Sequence, residues 1–333
     1  MKSAQTESFK NSHIAKSTTT AMDKKTNAKP EMHPRNPHNL GYDFVKLAEL
    51  HPPIKDCLAP NPMGKLTIDF SQPSAVKALN AGLLKQFYQV QHWDIPDGFL
   101  CPAVPGRADY IHYLADLLGQ DNGGNIPQGK QIRGLDIGTG ANLIYPIVAS
   151  QSYGWTVIGS DINEASYASA CLIVESNSNL RKLVKVRLQK QKKAIFSGII
   201  KESESFDFSL CNPPFHISAD AASAGSRKKN KNLARHSHKR RGKDSTAKNQ
   251  SSLNFGGQHN ELWCEGGEFE FVKNMISESV EFKNQVKWFT SLLSKKENVV
   301  PLLKLAEKLG ATQCKQINMT QGAKATRFIA WRF

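Results

Sequence analysis

Large apolar side chains are nearly missing from the first 38 residues and begin to recur at Leu40-Gly41-Tyr42-Asp43-Phe44. A segment so poor in apolar surface cannot offset its ordering entropy, so residues 1–38 are expected to be a disordered basic tail. From there to residue 125 the period is helical. Pro73 suits a first helical turn, and Val76, Leu79, Leu83, Leu84 and Phe87 follow at helical spacing. Ile111, Leu114, Leu117 and Leu118 predict a second helix over residues 108–118, and Asp121-Asn122-Gly123-Gly124-Asn125 reads as a loop. Residues 39–125 are thus expected as an N-terminal helical addition.

Beyond that loop, short apolar strands alternate with helices. Strands are predicted at 132–137, 156–160, 184–188 and 206–211, with helices at 143–150 and 164–176 between them. Two later helices, around 268–283 and 300–309, lead to a terminal hairpin with strands at 313–319 and 327–333 and Gln321-Gly322 near its turn. Such alternation predicts an α/β fold with a mostly parallel sheet covered on both faces, spanning residues 126–333. The pattern breaks at about 218–256. Loops of that length inside a domain are uncommon and are usually functional or disordered.

Charge sharpens the meaning of that break. The 333-residue chain carries a formal charge of +15, which points to a polyanionic partner, nucleic acid before an anionic membrane surface. Residues 221–250 hold ten Lys/Arg, among them Arg227, Lys228, Lys229, Arg235, Lys239, Arg240 and Arg241, against the single acid Asp244. This run is expected to clamp nucleic-acid phosphates and to fold on binding; a merely solvated basic surface is the alternative. His236 and His238 read as part of it rather than as metal ligands. The six cysteines are scattered, with no C-x-x-C pair and no zinc spacing, so no metal is expected and the thiols read as reduced. No signal-like apolar segment and no run of about 18 apolar residues occurs, so a cytoplasmic chain without a membrane partner is expected.

Two motifs carry chemistry. In Gly134-Leu135-Asp136-Ile137-Gly138-Thr139-Gly140-Ala141-Asn142 a strand runs into a tight glycine turn and a helix. The glycines let a ligand approach the backbone. Asp136 suits a ligand with a cationic aminoacyl end better than a pyrophosphate, and the third glycine of the dinucleotide pattern is missing. Both details favour S-adenosylmethionine over a nicotinamide cofactor. Asp161 closes the next strand a little over 20 residues beyond Gly138, where an acid can accept both ribose hydroxyls.

The second motif is Asn212-Pro213-Pro214-Phe215, which ends the predicted strand at 206–211. Two prolines stop the ladder and leave carbonyls free at the strand edge where open α/β sheets bind ligands. A planar amino nitrogen is a poor nucleophile because its lone pair is delocalised. The Asn212 side-chain oxygen and the Pro213 carbonyl can accept its two N–H groups and favour the attacking geometry, while Phe215 offers a face for a base. Alignment of donor and acceptor can suffice, and no strong general base is required.

With these residues in view, the chain resembles the bacterial large-subunit ribosomal RNA adenine-N6 methyltransferases (the RlmF type). It resembles more distantly the eukaryotic methyltransferase-like enzymes that modify small nuclear RNA. The resemblance rests on residues 101–112 (Cys-Pro-Ala-Val-Pro-Gly-Arg-Ala-Asp-Tyr-Ile-His), Arg133 to Pro146, Leu210 to His216, Gly266 to Val272, and Gln321 through Trp331. It implies a class I methyltransferase fold with seven strands and a terminal antiparallel hairpin. It also implies that Arg107 reaches the cofactor carboxylate, that Gly138, Thr139 and Gly140 line the aminoacyl end beside Asp136, that Asp161 holds the ribose, and that Asn212 to Phe215 hold the target adenine. The implied partner is ribosomal RNA or a large-subunit assembly particle, met by a monomer. Lys190, Lys192 and Lys193 depart from the pattern, since many methyltransferases place an acid there, near the cofactor adenine. The motif also suits methylation of a DNA adenine or a protein glutamine, and the charge suits a non-catalytic RNA-binding module.

Overall fold

Residues 32–216, 263–321 and 324–333 are described in the computed structural model. A seven-stranded sheet organises them. Its strands are β3 (Arg133–Ile137), β4 (Thr156–Asp161), β5 (Val184–Leu188), β6 (Phe206–Cys211), β7 (Val286–Leu293), β8 (Gln313–Gln321) and β9 (Lys324–Arg332). They lie in the order β5-β4-β3-β6-β7-β9-β8. The pairs from β5 to β7 are parallel, and β9 joins β7 and β8 antiparallel. β1 (Leu58–Pro60) and β2 (Leu66–Ile68) form a separate two-stranded pair that the helical reading of this region did not anticipate.

The helices are α1 (Phe44–Leu50), α2 (Pro73–Tyr88), α3 (Val104–Gln120), α4 (Ile144–Tyr153), α5 (Glu164–Glu175), α6 (Ser178–Arg181), α7 (Gly267–Ser279) and α8 (Val299–Lys308). Side chains of a strand alternate between faces, and β9 shows the consequence. Phe328 and Ala330 join the apolar layer that includes α3 and α4, with Ile111, Ile147 and Trp155. Ile329 and Trp331 join the opposite layer, with Met275 of α7 and Leu302 of α8.

One expectation is corrected. The tail predicted over 1–38 ends sooner, because residues 32–38 are packed. The His33 backbone N–H and the Asn36 amide donate to Asp109 at 2.9 and 2.6 Å, and Arg35 donates to Asp116 at 2.7 Å. Polar side chains fasten this segment, so its apolar content gave no sign of it; residues 1–31 lie outside the described ones. The helical addition over 39–125 packs in two parts. Leu47, Ile54, Ile68, Leu79 and Leu83 form a small core of their own, while Leu84 through Leu118 pack with the sheet. β7 was also not singled out, because Thr290 and Ser291 interrupt its apolar run although both are buried.

Among the described residues, no helix is long and apolar enough to cross a membrane, and no cluster of three or more His, Cys, Asp or Glu could hold a metal ion. The basic run with Arg227, Lys228, Lys229, Arg235, Lys239, Arg240 and Arg241 lies outside the described residues.

Candidate active site

The chain leaves β3 through Gly138 (φ 72°) and Gly140 (φ 66°), left-handed conformations that side-chain-bearing residues rarely adopt. The Gly138 and Thr139 amides both donate to the Ser160 carbonyl at 2.9 Å, and the Gly140 amide donates to Asp161 Oδ2 at 2.8 Å. The turn is thereby lashed to the end of β4. A Cβ on Gly138 would meet nothing within 4 Å, so the backbone there is open to a ligand.

Asp161 also accepts the Asn163 amide at 2.9 Å and is 5% exposed; burial raises its pKa despite these donors. Asp136 is buried completely, and neither carboxylate oxygen has a hydrogen-bond partner. Burial pushes its carboxyl up to about 7; the neighbouring Thr139 hydroxyl and Arg107 oppose the shift, and the Asp161 charge adds to it.

At the end of β6, the Asn212 side-chain oxygen is buried and unpartnered. The strand behind it is braced. Thr290 Oγ1 of β7 donates to the Ser209 carbonyl at 2.9 Å and lies 2.7 Å from the Tyr110 hydroxyl of α3. Buried acceptors left open in a native chain call for an explanation, and a ligand donor is one.

A cavity of about 1120 Å³ joins these features. Arg107, Gly138, Thr139, Gly140, Asp161, Asn212 and Pro214 all line it. Three of the expected residues do not. Asp136 lies beneath the turn with no exposed surface, Pro213 is buried, and Phe215 is half-buried off the cavity wall. Arg107 stands in the first turns of α3, its guanidinium 5.8 Å from the centre of the Tyr145 ring.

Other wall residues were not singled out from the sequence. Ile162, directly after Asp161, is 41% exposed and lines the cavity. Gln189 follows β5, at the strand edge where an acid had been sought, and lines it too. The signal for both was position, one residue beyond a strand's C-terminal end. Lys192 and Lys193 also stand on this wall. The loop that carries them is held by Glu278 of α7, whose carboxylate accepts the amides of Ile195, Phe196 and Ser197 at 2.8, 3.0 and 2.8 Å. Glu268, at the start of α7, accepts the Ser294 amide at 2.6 Å and the Asn298 side chain at 2.8 Å, tying that helix to the end of β7.

Residues 26–333 match a family described as RNA methyltransferase. The chain is 52% identical over 305 residues to a protein of Klebsiella pneumoniae (strain 342) named ribosomal RNA large subunit methyltransferase F, covering 92% of this chain and 95% of that one. Two solved structures share the fold. A structure of the hMettl16 catalytic domain in complex with a MAT2A 3′UTR hairpin is 31% identical with a TM-score of 0.73, covering 91% of this chain and 96% of that one. The N-terminal domain of human METTL16 in complex with SAH is 30% identical with a TM-score of 0.69, covering 91% and 99%.

Proposed function

The chain belongs to the RNA methyltransferase family, and from that premise we propose that it methylates the N6 amino nitrogen of an adenine in large-subunit ribosomal RNA. The cofactor is S-adenosylmethionine, which supplies an electrophilic methyl group when bound. The residues present fit it: an open glycine turn at Gly138, an acid at the end of β4 and an arginine on one wall.

In this reading Arg107 meets the cofactor carboxylate and the turn Gly138-Thr139-Gly140 lies along the aminoacyl end. Asp161 accepts the ribose hydroxyls with the lone pairs left free by Gly140 and Asn163. Ile162 offers the adenine an apolar face and Gln189 a polar edge.

One observation carries the reading of the target: the unpartnered, buried oxygen of Asn212 on the wall of the same cavity as the glycine turn. That oxygen accepts one N–H of the target amino group and the Pro213 carbonyl accepts the other, which steers the nitrogen lone pair toward the methyl group. Pro214 is on the wall and contacts the base. Stacking on Phe215 requires its ring to turn toward the cavity as the substrate enters. The base must be single-stranded or extruded to arrive there. The name of the Klebsiella relative and the charge of +15 support ribosomal RNA, free or in a large-subunit assembly particle, over DNA or protein. We place the reaction in the cytoplasm and assign it to a monomer.

The test is nucleotide-resolution mapping of N6-methyladenine in ribosomal RNA from a deletion strain. One adenine of the large subunit is expected to lose its mark, with wild type restoring it and Asn212→Ala failing to do so. An unchanged methylation map would refute the assignment.

A further inference from the structure

Tyr145 is the second residue of α4 and is 3% exposed, yet it lines the cavity. Its ring is fixed from two sides. Tyr110 packs edge-on at 5.6 Å and 88°, and the Arg107 guanidinium stands 5.8 Å from its centre. A rigid aromatic side chain of this kind ordinarily finds a partner for its hydroxyl when buried. Its O–H proton meets no acceptor at hydrogen-bond geometry. The Arg107 guanidinium carries donors only, so it can favour the Tyr145 oxygen but leaves the O–H proton without an acceptor.

The unsatisfied atoms around the cavity differ in what they need. The Asn212 oxygen and the Asp136 carboxylate need donors. The Tyr145 proton needs an acceptor, and Arg107 beside it favours an anionic one. Arg107 and Asp136 both lie close enough to act electrostatically on Tyr145, in opposite directions. A zwitterionic aminoacyl group is the ligand whose charges match. Ribose hydroxyls fit less well, since Asp161 at the end of β4 already offers them acceptors.

We propose that Tyr145 donates its hydroxyl proton to the carboxylate of the cofactor's methionyl group, sharing that carboxylate with Arg107. The proposal rests on the cofactor assignment above. Tyr145 sets the depth of the aminoacyl end along the glycine turn, and through it the position of the methyl group relative to Asn212.

The experiment titrates the ligand-free wild-type chain and Tyr145→Phe by calorimetry with two probes. One is S-adenosylhomocysteine, and the other is its analogue that lacks only the carboxylate. Tyr145→Phe is expected to weaken S-adenosylhomocysteine roughly tenfold or more, as for a lost hydrogen bond to a charged group. The analogue should bind both proteins alike. Equal losses with both probes, or no loss with either, overturns the proposal. So does unchanged S-adenosylhomocysteine binding with slower RNA methylation, which would give the hydroxyl to the target base. Melting of the ligand-free proteins guards against a structural explanation. Removing a buried hydroxyl whose proton has no acceptor should change the melting temperature little, whereas a marked fall would mean that the proton is bonded within the protein. Failure of the wild type to bind S-adenosylhomocysteine would instead overturn the cofactor assignment and take this proposal with it.

Discussion

The Gly140 amide donates to the Asp161 carboxylate at 2.8 Å, so the turn that ends β3 and the acid that ends β4 form one unit. The residue proposed to meet the ribose is also the residue that holds the glycine turn in shape. On that proposal, binding and architecture are coupled at this point.

That coupling predicts a graded response at position 161. Asp161→Asn keeps one acceptor oxygen for the two amides of Gly140 and Asn163, whereas Asp161→Ala keeps none. We expect affinity for S-adenosylhomocysteine to fall roughly tenfold or more in Asp161→Asn and further in Asp161→Ala, as charge-assisted hydrogen bonds are lost. The melting temperature should fall in the same order. Calorimetry with melting curves checks this, and an alanine variant that binds like wild type would sink it.

Both the turn and Asp161 were legible in the chain because they sit at strand ends, where a run of buried residues such as Leu135 to Ile137 stops at a glycine. Asn212 was legible for the same reason. β7 was not, since Thr290 counts as polar until its hydroxyl is seen between the Ser209 carbonyl and Tyr110. Tyr145 was hidden because its charged neighbour Arg107 is far off in sequence. Glu278 reaches amides more than 80 positions away, a pairing that local periodicity cannot express. For Phe215 the residue type suits base stacking, whereas its position off the wall is a matter of backbone placement that the sequence does not express.

Asp136 gives the ligand-free protein a pH-dependent weakness. Its folded-state carboxyl titrates near 7 against an ordinary value of 3.8, chiefly through burial. The folded chain therefore holds a proton that the unfolded chain has released, and stability from this group is lost as pH rises through about 7. Asp136→Asn carries no such proton. Its melting temperature relative to wild type should climb between pH 5 and pH 7 by roughly 1–2 °C for each ~1 kcal/mol lost by wild type, then level off near pH 8. Thermal melting across this pH series checks the trend, and a constant offset would contradict it.

The basic run predicts a change in salt response rather than in cofactor binding. Deleting residues 223–248 removes ten Lys/Arg and one Asp. If these cations neutralise phosphates, RNA affinity should fall and its slope against log salt should flatten. On a single strand the flattening is roughly 0.7 for each phosphate that is no longer neutralised. S-adenosylhomocysteine affinity should stay unchanged. Filter binding of a large-subunit RNA fragment across a salt series tests this, and an unaltered slope would leave the run with no role in RNA binding.

Glu278 offers the sharpest separation of loop position from chemistry. Its carboxylate gathers the amides of Ile195, Phe196 and Ser197, and the loop it holds presents Lys192, Lys193 and Ile195 to the cavity. Glu278→Ala leaves three donors without their acceptor, at a cost on the order of 1–3 kcal/mol even if water replaces part of the loss. Asn212 and the glycine turn are on other elements and keep their geometry. The variant should therefore show a raised KM for S-adenosylmethionine with kcat little changed, and faster hydrogen exchange at residues 195–197. Glu278→Gln retains one acceptor oxygen and should fall between the two. A loss of kcat with KM unchanged would show instead that this loop acts on the target nitrogen and not on the cofactor.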